Sequence, residues 1–598
     1  MSDDAGVALV MVIGWMLVVG MLVTSAIAYA IQTNVVSHKG QDWGAAQAAA
    51  MAGIEDYIAR LNRNDSYART WDCTNTAMVG PNQPGNTCGW TSSTATGWVP
   101  VVADNPLSST FHYDVDASSL DAHGEINVTS TGRSGNVTRT VETVVGREGS
   151  TDFLYYTDLE HADPANQTVY SSPPTKYFCG STGAQKDIYW WSPKISNENR
   201  ANSGCTEIGF APGDVLNGPV HFNDTPVLNG AGTKFMNGFE TSDPACKGAV
   251  SASTYYLCLR SGSPAPTYGT VSVPSKPVWS DVKYLDDTSA KFATYPGCHF
   301  YGSTRIIFNA DGTMTVWSKD SIGKVTGTNC GTFTAANWAA GITVPVPNEQ
   351  VIYDSAGPSI HRCVSGEIGG PTTPTDRRLP LGTYTGSNTT SYIYDLTMLN
   401  NDQFCGMGNL YIEGTVKGRV TIATENSIVA TGDLVLANGI NGQDLVGLVA
   451  GNSVQVFHPW IDKWQKPSTT WGWANAGVED NTWPTRYADP GQSPASVYPT
   501  SGIQIDASIQ TLQHSFFVQQ YNKGPGEGTL MVWGSIAQRW RGIVGTGSGT
   551  GYIKSYNYDA RLKYSSPPYF PQWSNAKWAM KHTGENKPAY SAAGVYVG

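Results

Sequence analysis

The strongest constraint on this chain lies at its N-terminus. An uncharged apolar run from Gly6 to Ile31 passes into an alanine-rich stretch, and no proline occurs before Pro81 although the chain holds 34. Val7 to Ile31 is about 25 residues, roughly 37 Å as a helix at ~1.5 Å per residue, which exceeds a hydrocarbon core of ~30 Å. The run is too long for a secretory h-region and follows Asp3 and Asp4 rather than a basic segment, so it reads as a membrane span instead of a cleaved signal. From Gly40 to Leu61 alanine dominates, and Ala46, Ala50, Ile54, Ile58 and Leu61 recur at helical spacing. One helix from Val7 to about Leu61 is therefore predicted, with Gly40 and Gly44 as its soft points. Gly20, Thr24 and Ala28 fall four apart, a small-residue ridge that suits either a plain anchor or a helix packed against another helix.

Two signals bear on which side of the membrane the bulk occupies. Basic residues near the span, His38 and Lys39, follow it, and counting them alone leaves the bulk inside. The cysteines argue the opposite. All ten lie beyond the helix, at Cys73, Cys88, Cys179, Cys205, Cys246, Cys258, Cys298, Cys330, Cys363 and Cys405, with no Cys-x-x-Cys pair to suggest zinc. Neighbour pairing into disulfides is the simplest expectation, and such a set belongs in an oxidising compartment. Only 14% of residues are charged and Gly reaches 65 of 598, which suits sheets and turns of an exposed β-rich domain. The net charge of -11 makes nucleic acid a poor candidate partner.

Three domains are expected: residues 1–62 as the helix, 63–148 as a small sheet packed on it, and 149–598 as a large β domain with an insertion around 244–381. Phe111 to Asp116 alternates, and Gly132-Arg133-Ser134-Gly135 turns the chain between the Ile126/Val128 strand and Val137 to Val144, a hairpin able to cover the helix. Beyond Gly146 short strands take over, punctuated at Asn217-Gly218, Asn229-Gly230 and Asn237-Gly238. Segments such as Leu410 to Ile412, Val420 to Ile422 and Val454 to Val456 repeat that rhythm, which fits successive faces of a β-helix better than a barrel, with an immunoglobulin-like sandwich as competitor. Ile306 to Val316 reads as two strands around the Asp311-Gly312 turn. The fold class is thus α+β, mainly β.

Between His458 and Pro499, Trp460, Trp464, Trp471, Trp473 and Trp483 stand among prolines and glycines. They either wrap the flank of the β domain or present a binding surface for carbohydrate or a partner protein. Catalytic signatures are missing: no Gly-x-Ser-x-Gly, His-Glu-x-x-His or phosphate-cradling loop occurs, and no cofactor is implied.

A long N-terminal helix leading into a β-rich domain resembles the type IV pilin superfamily. Gly6-Val7-Ala8-Leu9-Val10-Met11, followed by Ala45 to Glu55, is similar to the N-terminal module of the PilX-type minor pilins. The resemblance implies cleavage after Gly6 to leave Val7 as the mature N-terminus, and association with other pilin subunits through the helix. Met11 stands at the fifth mature position, where major pilins carry glutamate, a departure this minor group often shares. The leader, with Asp3 and Asp4 and no basic residue, also departs from the family's pattern. The expected function is a noncatalytic surface protein, membrane-anchored or filament-incorporated, displaying a β domain for adhesion or assembly. The alternative is a membrane-tethered β-helix protein that binds or degrades polysaccharide.

Overall fold

The computed structural model describes residues 4–105, 107–166, 169–170, 178–179, 184–185, 188–192, 205–248, 254–268, 277–362, 391–394, 404–458, 460–465, 472–479, 502–519, 521–524 and 526–597. The architecture is a long N-terminal apolar helix followed by a large sheet-rich domain, mainly β with some α. The chain divides into two compact units, 1–147 with 577–598, and 148–576.

In the first unit the proline-free N-terminus forms one helix, α1 (Asp4–Arg63), which runs unbroken through Gly40 and Gly44. An antiparallel sheet carries strands β1 (Val99–Pro100), β2 (Thr110–Asp116), β3 (Glu125–Ser134) and β4 (Val137–Arg147), and the C-terminal strand Trp578–Asn586 joins it beside β4. The predicted hairpin is β3–β4, with Ile126 opposite Val145 and Val128 opposite Thr143. Pairing of Trp578 with Arg147 and of Asn586 with Thr140 brings the last residues back to the first sheet, whereas the sequence places 149–598 in one domain. Periodicity does not reveal this strand because most of it is exposed, so its pattern does not alternate. The irregular segment between α1 and β1 is pinned by the Cys73–Cys88 disulfide, which spans 15 residues; a loop of that size contributes about 3 kcal/mol in the chain-entropy account.

The second unit is built on parallel ladders. In one, Ile352, Ile422, Leu448, Ile509, Ile536, Tyr155 and Val220 are successive register partners, all buried in a single core. In another, Ile306, Ile412, Ala430, Val456 and Val518 stack in the same way. The apolar side chains thus sit one above another between hydrogen-bonded strands. The Asn-Gly turn at Asn217-Gly218 does not close an antiparallel hairpin: Val215–Asn217 and Val220–Phe222 pair with different neighbours, both parallel. An antiparallel hairpin does occur at Asp311-Gly312, with Phe308 opposite Met314 and Gly312 at a φ of 93°. Within the tract 244–381, read from sequence as an insertion, Gly297–Tyr301, Thr304–Phe308 and Gln350–Ser355 join the same parallel ladders.

The second unit's chain path brings its ends together. Tyr155–Ala162 pairs on one side with Val220–Phe222 and on the other with Gly526–Arg541, so the first strand lies beside one of the last. Gly149 bridges to Gln572. Among the described residues, Arg305 pairs with Glu413 at 2.6 Å and Arg541 with Glu160 at 2.5 Å in the interior. Each partner compensates a charge that burial alone would penalise by several kcal/mol.

Leu448→Ala removes a side chain from the first of these stacks and is expected to cost about 2–5 kcal/mol, whereas Ile553→Ala, at a residue 69% exposed, leaves stability within about 0.5 kcal/mol. Denaturant titration of the full chain in detergent checks both.

Candidate membrane and assembly module

The helix has two halves with opposite surroundings. From Val7 to Val36 its large apolar side chains stand in the open, Val10 and Trp15 at 70% exposure and Tyr29 at 73%. Among the described residues, this is the one helix long and apolar enough to cross a membrane. Both threonine hydroxyls bond back to their own turns: Thr24 Oγ1 donates to the carbonyls of Gly20 and Met21, and Thr33 Oγ1 to that of Tyr29. Such bonds satisfy these two donors within the helix, as a hydrocarbon environment requires. A Cβ at Gly20 would meet nothing within 4 Å, so the Gly20–Thr24–Ala28 ridge is open along that edge. Gly6 and Val7 lie in the first turns of the same helix.

From Ala46 onward the helix is docked. Ala46, Ala50, Ile54, Ile58 and Leu61, the sequence-predicted stripe, are buried with Ala49 and Tyr57 against the sheet. Two glycines set the distance. A Cβ on Gly132 of β3 would sit 1.9 Å from the Ala46 carbonyl and 2.4 Å from the Ala50 nitrogen, and one on Gly53 would sit 2.3 Å from Ser130 Oγ. Backbone therefore approaches backbone, which only a residue without a side chain permits.

Polar clamps secure the two ends of the docked half. Arg139, buried on β4, stacks its guanidinium 3.4 Å from the centre of the Trp43 ring. It donates to Gln47 Oε1 at 2.9 Å and to Glu585 Oε1 at 2.6 Å, tying the helix and the C-terminal strand to one side chain. Ser134 Oγ donates to Asp42 at 3.0 Å. At the other end, Asn62 donates through Nδ2 to the Trp578 carbonyl and accepts from the Trp578 N–H, so its amide pairs with the last strand as a backbone would. Tyr113 donates to Asp56 at 2.9 Å, and Asp56 also accepts from Arg60. Burial first, and then the Asp56 charge, push the Tyr113 phenol above its ordinary range, so it stays a donor.

The remaining predicted residues are not gathered into one place. Cys246–Cys258 and Cys298–Cys330 pair as sequence neighbours, like Cys73–Cys88, and Cys205 and Cys405 are also disulfide-bonded. The side chains of Cys179 and Cys363 lie outside the described residues. Trp471 and Trp483 lie outside them as well. Trp460, Trp464 and Trp473 are described at the backbone. They lie on the strands Trp460–Gln465 and Gly472–Glu479 of a three-stranded antiparallel sheet with Ser391–Tyr394, where Trp464 is opposite Trp473. Among the described residues no group of three or more His, Cys, Asp or Glu is placed to hold a metal ion. Sequence reading missed Arg139, Asn62 and the C-terminal strand, and it put Gly132 to Ser134 in the hairpin turn, whereas they continue β3, Gly132 opposite Arg139 and Ser134 opposite Val137. Gly53 and Gly132, isolated in a helix and a strand, were the available signals.

No family model matches the sequence, and no curated protein matches it. Among solved structures, the competence-associated pilin ComZ from Thermus thermophilus aligns over 91% of this chain and 98% of its own at 11% identity, with a TM-score of 0.23. At that score the likeness carries no argument.

Gly132→Val is expected to undock the helix, at the upper end of the ~1–3 kcal/mol of overpacking or beyond, because the clash is with backbone. Amide exchange at Ala46 to Leu61 checks it: protection falls there and persists in the strands of the second unit. Arg139→Ala removes the Trp43 stack and the bonds to Gln47 and Glu585, and protection of the same segment falls while that of the second unit's strands is unchanged.

Proposed function

We propose that this chain is a noncatalytic minor pilin-like surface protein, anchored in a membrane or incorporated into a filament through α1, with residues 149–576 displayed for adhesion or pilus assembly. The observation that carries this reading is the division of one continuous helix. Its first half is apolar and unpartnered, and its second half is fixed to an antiparallel sheet. A helix of that kind is a soluble domain's handle on lipid or on other helices. The open Gly20–Thr24–Ala28 ridge is where a neighbouring subunit's helix would approach, and Gly6–Val7 is the processing site. The disulfides support an extracellular placement of both units, with Cys179–Cys205 and Cys363–Cys405 completing the neighbour pattern. The parallel ladders are read as coils of a β-helix, and the tryptophan segment as its best candidate for a contact surface for carbohydrate or a partner protein. The ladders also favour a second reading, a membrane-tethered β-helix protein that binds or degrades polysaccharide.

Fractionation with and without prepilin peptidase tests the first reading. The expected outcome is a mature N-terminus at Val7 and co-purification with filaments, both lost when the peptidase is absent. An unchanged N-terminal mass with no filament association in either background would contradict it.

A further inference from the structure

Where the helix ends, the first unit opens a cleft of about 390 Å³ that the helix and the sheet core do not fill. Two stretches line it: the turn of chain after α1, carrying Tyr67 and Trp71, and the end of β2 with the residues after it, carrying Asp116 and Ser118. Its volume lies in the range of ~300–1,000 Å³ typical of small-molecule sites. We propose that this cleft binds a neutral sugar ring.

The lining chemistry selects that class. Tyr67 and Trp71 are half-buried, so each presents part of its ring instead of spending all of it in the core. Trp71 is held edge-on by Trp90, with ring centres 6.1 Å apart. The Tyr67 hydroxyl is occupied by Asp72 and Asn75, so this residue offers the cleft its apolar surface. The second stretch is polar. Asp116 uses Oδ1 to accept from the Ser118 N–H at 2.9 Å, which leaves Oδ2 for a ligand donor, and the Ser118 side chain is exposed at the rim. Arg69 and Asp121 pair at the mouth, both largely exposed.

A cleft lined by aromatic rings together with a carboxylate and a hydroxyl matches a molecule with an apolar C–H face and a girdle of hydroxyls. The sugar's C–H face lies on the indole, and its hydroxyls donate to the carboxylate. Anions fit poorly, because the lining cation Arg69 is already neutralised by Asp121 and the Asp116 charge repels them. Acyl chains fit poorly, because they would bury that carboxylate without a partner. The walls are also preformed. The Cys73–Cys88 disulfide holds the segment that carries Trp71, and the Asp116 turn holds the second stretch, so little ordering cost accompanies binding. The site lies within the first unit and is independent of how the second unit is used.

The test is ligand titration of the full-length protein in micelles of a detergent without a sugar headgroup. Glucose, galactose, N-acetylglucosamine, cellobiose and chitobiose serve as probes, read by saturation-transfer NMR and calorimetry. At least one is expected to bind saturably. Trp71→Ala and Asp116→Asn should each weaken it about tenfold or more, Trp71→Phe should retain most of it, and Tyr564→Ala, at an aromatic residue 69% exposed elsewhere, should change nothing. An unchanged melting temperature for Asp116→Asn separates lost binding from lost folding. Failure of every probe to bind at about 10 mM, a level corresponding to less than ~3 kcal/mol of affinity, would overturn the proposal. Binding that survives both Trp71→Ala and Asp116→Asn would overturn it equally.

Discussion

The contact between Gly132 and the backbone of α1 is the constraint on which the first unit depends. With no side chain at Gly132 or Gly53, the alanine face of the helix lies directly on β3, and Ala46, Ala49 and Ala50 are small enough to stay buried there. That short distance brings Trp43 and Gln47 within reach of Arg139, and Asp42 within reach of Ser134. Arg139 then holds Glu585, so the same side chain that orients the helix also fixes the last strand. The clamp on the helix thus includes the strand Trp578–Asn586, which pairs with β4.

The same pairing places the large unit, residues 148–576, between two neighbouring strands of one sheet, β4 and Trp578–Asn586, so its ends have to meet. The parallel ladders achieve this by placing Tyr155–Ala162 between Val220–Phe222 and Gly526–Arg541. Aliphatic stacks such as Ile352–Ile422–Leu448–Ile509–Ile536 provide the core, at roughly 1.5–3 kcal/mol for each buried side chain. The Arg305–Glu413 and Arg541–Glu160 pairs contribute little net energy beside those stacks, but each holds two segments far apart in sequence to one geometry.

The parts of the fold legible in the sequence are those governed by local pattern. Helical spacing located Ala46, Ala50, Ile54, Ile58 and Leu61, and the glycines at 132 and 135 between two apolar-patterned runs located the β3–β4 hairpin, though its turn is tighter than they suggested. The parts that escaped depend on pairing across hundreds of residues. Asn217-Gly218 turns the chain as its composition suggests, yet composition does not say that the flanking strands pair with different partners. Trp578–Asn586 lacks alternation because it is largely exposed, and Arg139 resembles any surface arginine until Trp43, Gln47 and Glu585 converge on it. The Trp71–Asp116 cleft was equally invisible, since its walls are about 45 residues apart and neither carries a motif.

The central claim is that α1 is one helix serving two media, lipid or neighbouring helices for its first half and its own sheet for its second. Spin labels placed singly from Val7 to Leu61 in the full chain, reconstituted in lipid vesicles, test this most directly through their accessibility to oxygen and to a polar relaxant. The account predicts oxygen access with exclusion of the polar reagent from Val7 to about Ile31, then exclusion of both from Ala46 onward at every third or fourth position. Access of the polar reagent along the whole first half, or a break in helical periodicity between Ile31 and Ala46, would contradict it.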